Sequence, residues 1–461
     1  MKRTLPLVAL FIACFAHTAF ADGQLDFTLH KLESGNPGNT LLVVGGIQGD
    51  EPGGFNAAAL LVTHYKIKKG GVWVVPNLNF ISIINQSRGI YGDLNRKFLT
   101  ITREDPQYKT IRKIKSIILD SRVDMVLNLH DGSGFYRPRY IDPAHNPQNW
   151  GQSVIIDQER IEQEPYGNLG GIAQQVVAEV NEHLFSDEHA WSVKDTKTWQ
   201  GNKDMEKALT YFAIRNRKPA FGVEISKEFS SARRSYYHLE ALESFMNILG
   251  IEYERRFPLT PEGIESAIEN NITLALYDNK ILLDVTNARK RLAFIPFKKG
   301  FAIDFIPSNP LLALVSAGNC YEVYHGNRRI TSIFPQYLEY DSGINAITMQ
   351  IDGEEKDVRF GGIVDVGAAF TVVPREGYRV NVIGFKKQGI TNESGIPICK
   401  NDTENSFSVD TAGRLYRVEV YKEKKFAGMV LVNFSEKAEN LQAANPSKVS
   451  LVEQVPATKI R

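Results

Sequence analysis

The chain has 461 residues, 43% of them apolar and 23% charged; these are ordinary globular proportions, and the length predicts two or three domains rather than one core. Its 54 basic and 53 acidic residues leave a net charge of +1, and no long basic block appears. This excludes the electrostatic footprint of a nucleic-acid binder or of a protein held on an anionic membrane surface.

In chain order, the opening "MKRTLPLVALFIACFAHTAFA" places Lys2 and Arg3 before an apolar segment from Leu5 to Phe15, then Ala19-Phe20-Ala21. This pattern predicts a secretory signal over residues 1–21, cleaved before Asp22. The apolar segment is too short to span a bilayer and no later one approaches that length, so an exported chain with no integral membrane contact is expected. Cleavage leaves Cys320 and Cys399. In an oxidising compartment they either pair, closing a loop of about eighty residues worth roughly 3–5 kcal/mol on a chain-entropy model, or stay free; their spacing does not decide between the two.

From residue 25 to about 250, apolar runs alternate with helical patterns. "TLLVVGG", "GVWVVPN", "VDMVLNLH" and "PAFGVEIS" read as strands; "GFNAAALLVTHYKI", "QYKTIRKIKSIILDS", "GGIAQQVVAEVNEHL" and "HLEALESFMNILG" read as helices. Residues 22–252 are therefore expected to form an α/β domain around a mixed, mainly parallel sheet, with functional groups gathered at the carboxyl ends of its strands. After "YERRFPLTPEG" the pattern changes to short strands punctuated by turns every eight to twelve residues, which predicts two small all-β domains at 253–342 and 343–434. A polar tail, 435–461, follows.

One constellation in the first domain carries chemistry. Gln48 and Glu51 lie three residues apart in "LLVVGGIQGDEPGG", the turn after a strand, and His130 ends the strand "VDMVLNLH". If both strands share a sheet, an amide oxygen, a carboxylate and an imidazole converge at its carboxyl edge and leave a coordination position open, as a catalytic zinc requires. Taken singly, each of these residues has an ordinary structural explanation.

The ordered set "GGIQGDEPGG", "VVPNLNF", "GDLNRKF", "LNLHDG" and "FGVEIS" resembles the zinc carboxypeptidases of the M14 type over residues 40–230. The resemblance implies a carboxypeptidase-like α/β domain holding one Zn2+ on Gln48, Glu51 and His130, with Glu224 as general base. By the same resemblance Arg88, Asn95 and Arg96 grip the substrate's terminal carboxylate, and Lys203, Thr210 and Tyr211 stand where the family shapes its side-chain pocket. Gln48 departs from the family's histidine: an amide is also a neutral ligand but a poorer donor, so weaker zinc retention is expected. This variant, the export signal and the trailing β domains together are similar to the branch of periplasmic D,L-carboxypeptidases that set helical cell shape. That likeness implies a peptidoglycan stem peptide as partner: muramyl tripeptide, trimmed to the dipeptide with release of meso-diaminopimelate. Two alternatives stay open. One is an acyl-amino-acid amidohydrolase of the succinylglutamate desuccinylase or aspartoacylase type, which shares the turn and the Asn-Arg pair. The other is a non-catalytic peptidoglycan-binding protein.

Overall fold

The computed structural model describes residues 25–387 and 389–435. The signal predicted at 1–21 and all of the tail beyond residue 435 lie outside them. Among the described residues no helix is long and apolar enough to cross a membrane.

The first core is organised by a seven-stranded sheet. Strand Thr40–Val44 runs parallel to Gly71–Val75 on one side and to Met125–Gly132 on the other, and Met125–Gly132 runs parallel to Ala220–Ser226. His30–Glu33 adds to one edge antiparallel, and Ser153–Ile156 with Ser192–Asp195 completes the other. The central strands are runs of Val, Leu and Ile with almost no exposed residue, because helices cover both faces. Helices Pro52–His64 and Ser231–Ile248 pack together on the sheet. Tyr108–Ile118 buries Ile111, Ile114 and Ile118, the spacing of one helical face.

Two predicted helices have different limits. The "YKI" that ends "GFNAAALLVTHYKI" is not helical: Tyr65–Lys69 is a strand paired antiparallel with Glu252–Arg255. Tyr65 and Ile67 are buried and Lys66 is exposed, an alternation of period two that ends the helix at His64. The helix read in "HLEALESFMNILG" begins earlier, at Ser231, where the Ser230 side chain accepts a hydrogen bond from the Arg233 N–H. A further helix, Pro261–Glu269, sends Ile264 and Ala267 into this same core.

The remaining chain is β-rich, as expected. Strands Arg291–Lys298, Leu312–Ala317, Cys320–His325 and Arg328–Leu338 form one four-stranded sheet beside the small sheet of Thr273–Leu276, Ile281–Asp284 and Phe305–Pro307. Two more four-stranded sheets follow. The hairpin Leu415–Lys422/Lys425–Phe434 belongs to both β cores. Leu415, Tyr421, Met429 and Leu431 enter the second core, while Tyr416, Val418, Val430 and Val432 enter the third. The stretches predicted at 253–342 and 343–434 thus share this hairpin. Cys320 and Cys399 are free thiols; Cys320 Sγ donates to the Ala317 carbonyl at 3.3 Å and Cys399 Sγ to Asp402 at 3.1 Å.

Candidate active site

The turn after Thr40–Val44 is shaped by glycine. Gly46 has φ +67, and a Cβ there would lie 2.7 Å from Ile83 Cδ1 and 2.9 Å from the Pro76 carbonyl, so only glycine lets the chain fold back beneath the sheet edge. Pro52 then opens the helix that carries Glu51 at its head. His130 lies on the neighbouring strand, directly opposite Glu224 in the parallel register. Three separate segments thereby bring their chemistry to one rim.

There the three predicted ligands meet. His130 Nδ1 is 3.1 Å from Gln48 Oε1 and 2.9 Å from Glu51 Oε2, and all three residues are buried. Ligands held about 2.0–2.2 Å from a tetrahedral ion stand roughly 3.3 Å from one another, so these donors are already close to the spacing an ion needs. The set contains only two of His, Cys, Asp and Glu, and among the described residues no cluster of three such groups could hold a metal; the glutamine amide completes the trio. Buried Asn128 makes a second test. Its Nδ2 faces His130 Nε2 at 2.7 Å while its Oδ1 has no hydrogen-bond partner. An imidazole that ligates through Nδ1 carries its proton on Nε2 and needs an acceptor, which the Asn128 amide supplies when turned over. The donor set fits a divalent ion.

A second ring of groups orients the first. Gln48 Nε2 donates to both oxygens of Asp93 at 3.0 Å, which aims Oε1 at the other ligands. Asp93 also receives Arg88 Nη2 at 2.9 Å, and it caps the short helix Leu94–Arg96 by accepting from the Asn95 N–H. Asn95 accepts from the Leu209 N–H at 2.9 Å and holds its Nδ2 3.3 Å from His130 Nε2, where it lines the cleft beside the ligand. Asp131, next to His130, is fully enclosed: it accepts from the Gly53 N–H at 2.8 Å, Arg234 Nη1 at 2.8 Å and His238 Nε2 at 3.1 Å. Gly53 is required here, since a Cβ would stand 2.5 Å from Asp131 Oδ1. Replacing Asp93 by alanine is expected to weaken metal binding about 10–100-fold, and Gln48→His to strengthen it. Competition titration against a chelator measures both; equal affinity in the Asp93 variant would remove its bracing role.

Electrostatics divide the two central groups. For His130, burial opposes the charged form, but Glu51, and then Glu224 and Asp93, outweigh it and raise its proton affinity above the ordinary value. Burial pushes Glu224 up to about 7; His130 and Arg88 pull it down, while Glu51 and Asp131 add to the rise. A carboxylate that holds a proton near neutrality is matched to moving one. Gly132 makes room for it: a Cβ there would lie 2.7 Å from Glu224 Oε2.

These groups line a cleft of about 280 Å³. Arg88, Asn95, Arg96 and Thr210 share it, with Trp150, Ile155, Met205 and Lys227. Among the described residues Arg96 has no carboxylate partner; its Nη1 donates to the Asn95 carbonyl at 3.2 Å. Two predicted pocket residues are not brought to the cleft. Lys203 is 81% exposed and pairs with Glu206 at 3.2 Å; Tyr211 is half-buried away from the lining. Sequence reasoning missed Asp93, Asn128, Asp131, Trp150 and Lys227, although "GDLNR" and "LNLHDG" contain the first three beside residues that were chosen.

Residues 5–269 match the family model described as carboxypeptidase controlling helical cell shape, catalytic region, and residues 340–435 match the C-terminal domain of metallo-carboxypeptidase. No curated protein sequence matches the chain. Among solved structures, apo cell shape determinant protein Csd4 from Helicobacter pylori is 37% identical with a TM-score of 0.82, covering 89% of this chain and 100% of its own. The meso-diaminopimelate-bound form of that protein, described as a D,L-carboxypeptidase, is likewise 37% identical with a TM-score of 0.82, over 88% of this chain and 100% of its own. Its tripeptide-bound form is also 37% identical, with a TM-score of 0.81 over 89% and 100%. These matches bear out the expected α/β domain with trailing β domains and set aside the desuccinylase and non-catalytic readings: the chain is a metallocarboxypeptidase and belongs to the family of carboxypeptidases that control helical cell shape.

Proposed function

We propose that the chain is a zinc-dependent D,L-carboxypeptidase of the periplasm that removes meso-diaminopimelate from the peptidoglycan tripeptide and leaves the dipeptide. The convergence of Gln48, Glu51 and His130 within 3.1 Å, with Glu224 opposite His130 in register, carries this reading. The Helicobacter pylori protein crystallised with meso-diaminopimelate and with tripeptide supports the choice of substrate, and the signal-like opening supports the compartment. Gln48 Oε1, a Glu51 carboxylate oxygen and His130 Nδ1 would hold one zinc ion. When bound, zinc supplies Lewis-acid polarisation of the scissile carbonyl and a water of lowered pKa.

The chain's own residues do the rest. Arg96, a cation without a carboxylate partner in the cleft, pairs with the substrate's terminal carboxylate, and Arg88 stands beside it with half its side chain exposed. A guanidinium clamp fixes the distance from chain end to scissile bond. Glu224 takes a proton from the attacking water as its oxygen bonds to the carbonyl carbon; when the C–N bond breaks, that proton passes to the amine nitrogen of the departing residue. Thr210, Trp150 and Met205 wall the space next to the clamp, where the side chain of the leaving residue would lie.

Arg96→Ala is expected to raise KM for tripeptide about 10–100-fold, the cost of one lost charge-assisted contact, with a smaller change in kcat; unaltered KM would remove the clamp. The substrate assignment is tested by incubating the protein with muramyl tripeptide, tetrapeptide and pentapeptide, with and without a chelator. Loss of one diaminopimelate mass from tripeptide alone, blocked by the chelator, is expected. Cleavage of the longer peptides, or none of any, would overturn it.

A further inference from the structure

A cavity of about 590 Å³ opens between the second and third cores, lined in part by Phe294, Phe385, Phe407, Glu393, Arg417 and Glu419. This volume lies within the usual range for a small-molecule site. Its rim carries an anomaly. Phe294 has φ +56, in the left-handed region that a bulky side chain avoids, and the residue is 71% exposed. It sits at a bulge, where the register between Arg291–Lys298 and Arg328–Leu338 slips between Ala293 and Ile295. Unbroken alternation along the strand would put Phe294 on the same face as buried Leu292; the bulge turns it outward.

The bulge is held from below by a buried charge. Arg417 Nη2 donates to the Ala293 carbonyl at 3.1 Å and Nη1 to the Phe294 carbonyl at 3.2 Å. The same guanidinium forms a buried ion pair with Glu419, Nη1 to Oε1 at 3.1 Å. Glu419 is 2% exposed; its Oε2 accepts from Tyr421 at 2.6 Å, and the residue forms part of the cavity lining. Buried Glu393 lines it too, its Oε2 accepting from the Val382 N–H. Phe407, 52% exposed, adds a second ring to the lining. Strained, outward-turned side chains collect where ligands are held.

We propose that this cavity binds a saccharide of two or three rings, a segment of glycan. Sugar rings present flat apolar faces, which stack on exposed aromatic rings, and hydroxyl groups, which exchange hydrogen bonds with polar and charged lining groups such as Arg291 and Glu393. The lining charges are balanced, Arg291 and Arg417 with Glu393 and Glu419, which favours a neutral polar ligand over an anion and over a wholly apolar one. Choosing glycan as the occupant rests on the proposed peptidoglycan substrate, because the stem peptide hangs from glycan. The third core would then hold the strand while the cleft trims its peptides.

The test is calorimetric titration of the full chain with a peptide-free β-1,4-linked N-acetylglucosamine trisaccharide. Saturable binding is expected, weakened at least about tenfold by Phe294→Gly, which keeps the left-handed backbone but removes the ring, and likewise by Phe407→Ala. Phe294→Gly should leave hydrolysis of free tripeptide unchanged. No saturable binding by the wild-type chain, or equal affinity in Phe294→Gly, overturns the proposal. Tripeptide hydrolysis read on the same samples reports on the catalytic reading independently, since the trisaccharide carries no peptide.

Discussion

Replacing Glu224 by alanine lowers kcat for tripeptide by roughly 10²–10⁴-fold, the usual contribution of a positioned general base, and leaves the metal bound. The variant loses a proton carrier and none of the three converging groups, Gln48, Glu51 and His130. The sign of the pH effect follows from the same group. Burial holds the Glu224 proton well above the ordinary carboxylate range, and only the deprotonated form accepts a proton from water, so wild-type kcat/KM falls as acid protonates it. The residual rate of Glu224→Ala has no acid limb from this group. Metal analysis beside steady-state kinetics checks both parts; undiminished hydrolysis, or coincident loss of metal and activity, would take the role of base away from Glu224.

Asp131→Asn is the second large effect, on stability and metal retention rather than on proton transfer. Burial pushes the Asp131 carboxyl up, but the His238 hydrogen bond, the Arg234 charge and the Gly53 N–H outweigh it and hold the group below its ordinary 3.8. One carboxylate thereby joins the first turn of helix Pro52–His64, helix Ser231–Ile248 and the strand end that carries His130. Removing one partner of a buried charged network costs about 3–5 kcal/mol. A carboxyl with a depressed folded value contributes stability that is complete above 3.8 and lost as the pH falls through the lower folded value. The wild-type advantage over Asp131→Asn is therefore level near neutrality and shrinks below 3.8. Denaturant titrations at several pH values measure it, and equal stability of the two proteins at neutral pH would show that the network does not bear on folding.

Much of the site was legible because its groups sit in short motifs at strand ends. In "GGIQGDEPGG" the paired glycines force the turn and the two ligands follow within three residues, so the local sequence carries the local geometry. His130 and Glu224 end strands, and parallel pairing of those strands aligns them across from each other. Support residues were harder to see. Asp93 acts on Gln48 across 45 positions of chain, and Asp131 acts through Arg234 and His238 more than a hundred positions away; neither connection leaves a local pattern. Within Leu209–Arg215 the helical turn of about 100° per residue points Thr210 into the cleft and carries Tyr211 off its lining. Lys203 lies outside any such element and meets Glu206 at the surface instead.

The β half shows the complementary limit. Turns every eight to twelve residues marked its short strands, but not the parallel pairing of Arg291–Lys298 with Arg328–Leu338 or of Ile363–Val366 with Lys425–Phe434. The last hairpin is buried on both faces: Lys425–Phe434 reads as a nearly continuous apolar run and Leu415–Lys422 buries Arg417 and Glu419 among its apolar residues, which hides which face serves which core. The left-handed Phe294 has no sequence signal at all, because positive φ is expected of glycine or asparagine.

The whole account turns on one coordination site, and anomalous scattering from crystals at the zinc edge tests it most directly. The expected result is a single strong peak about 2.0–2.2 Å from Gln48 Oε1, a Glu51 oxygen and His130 Nδ1, lost in His130→Ala. Zinc-loaded crystals with no peak there, or with the peak on other residues, would contradict it.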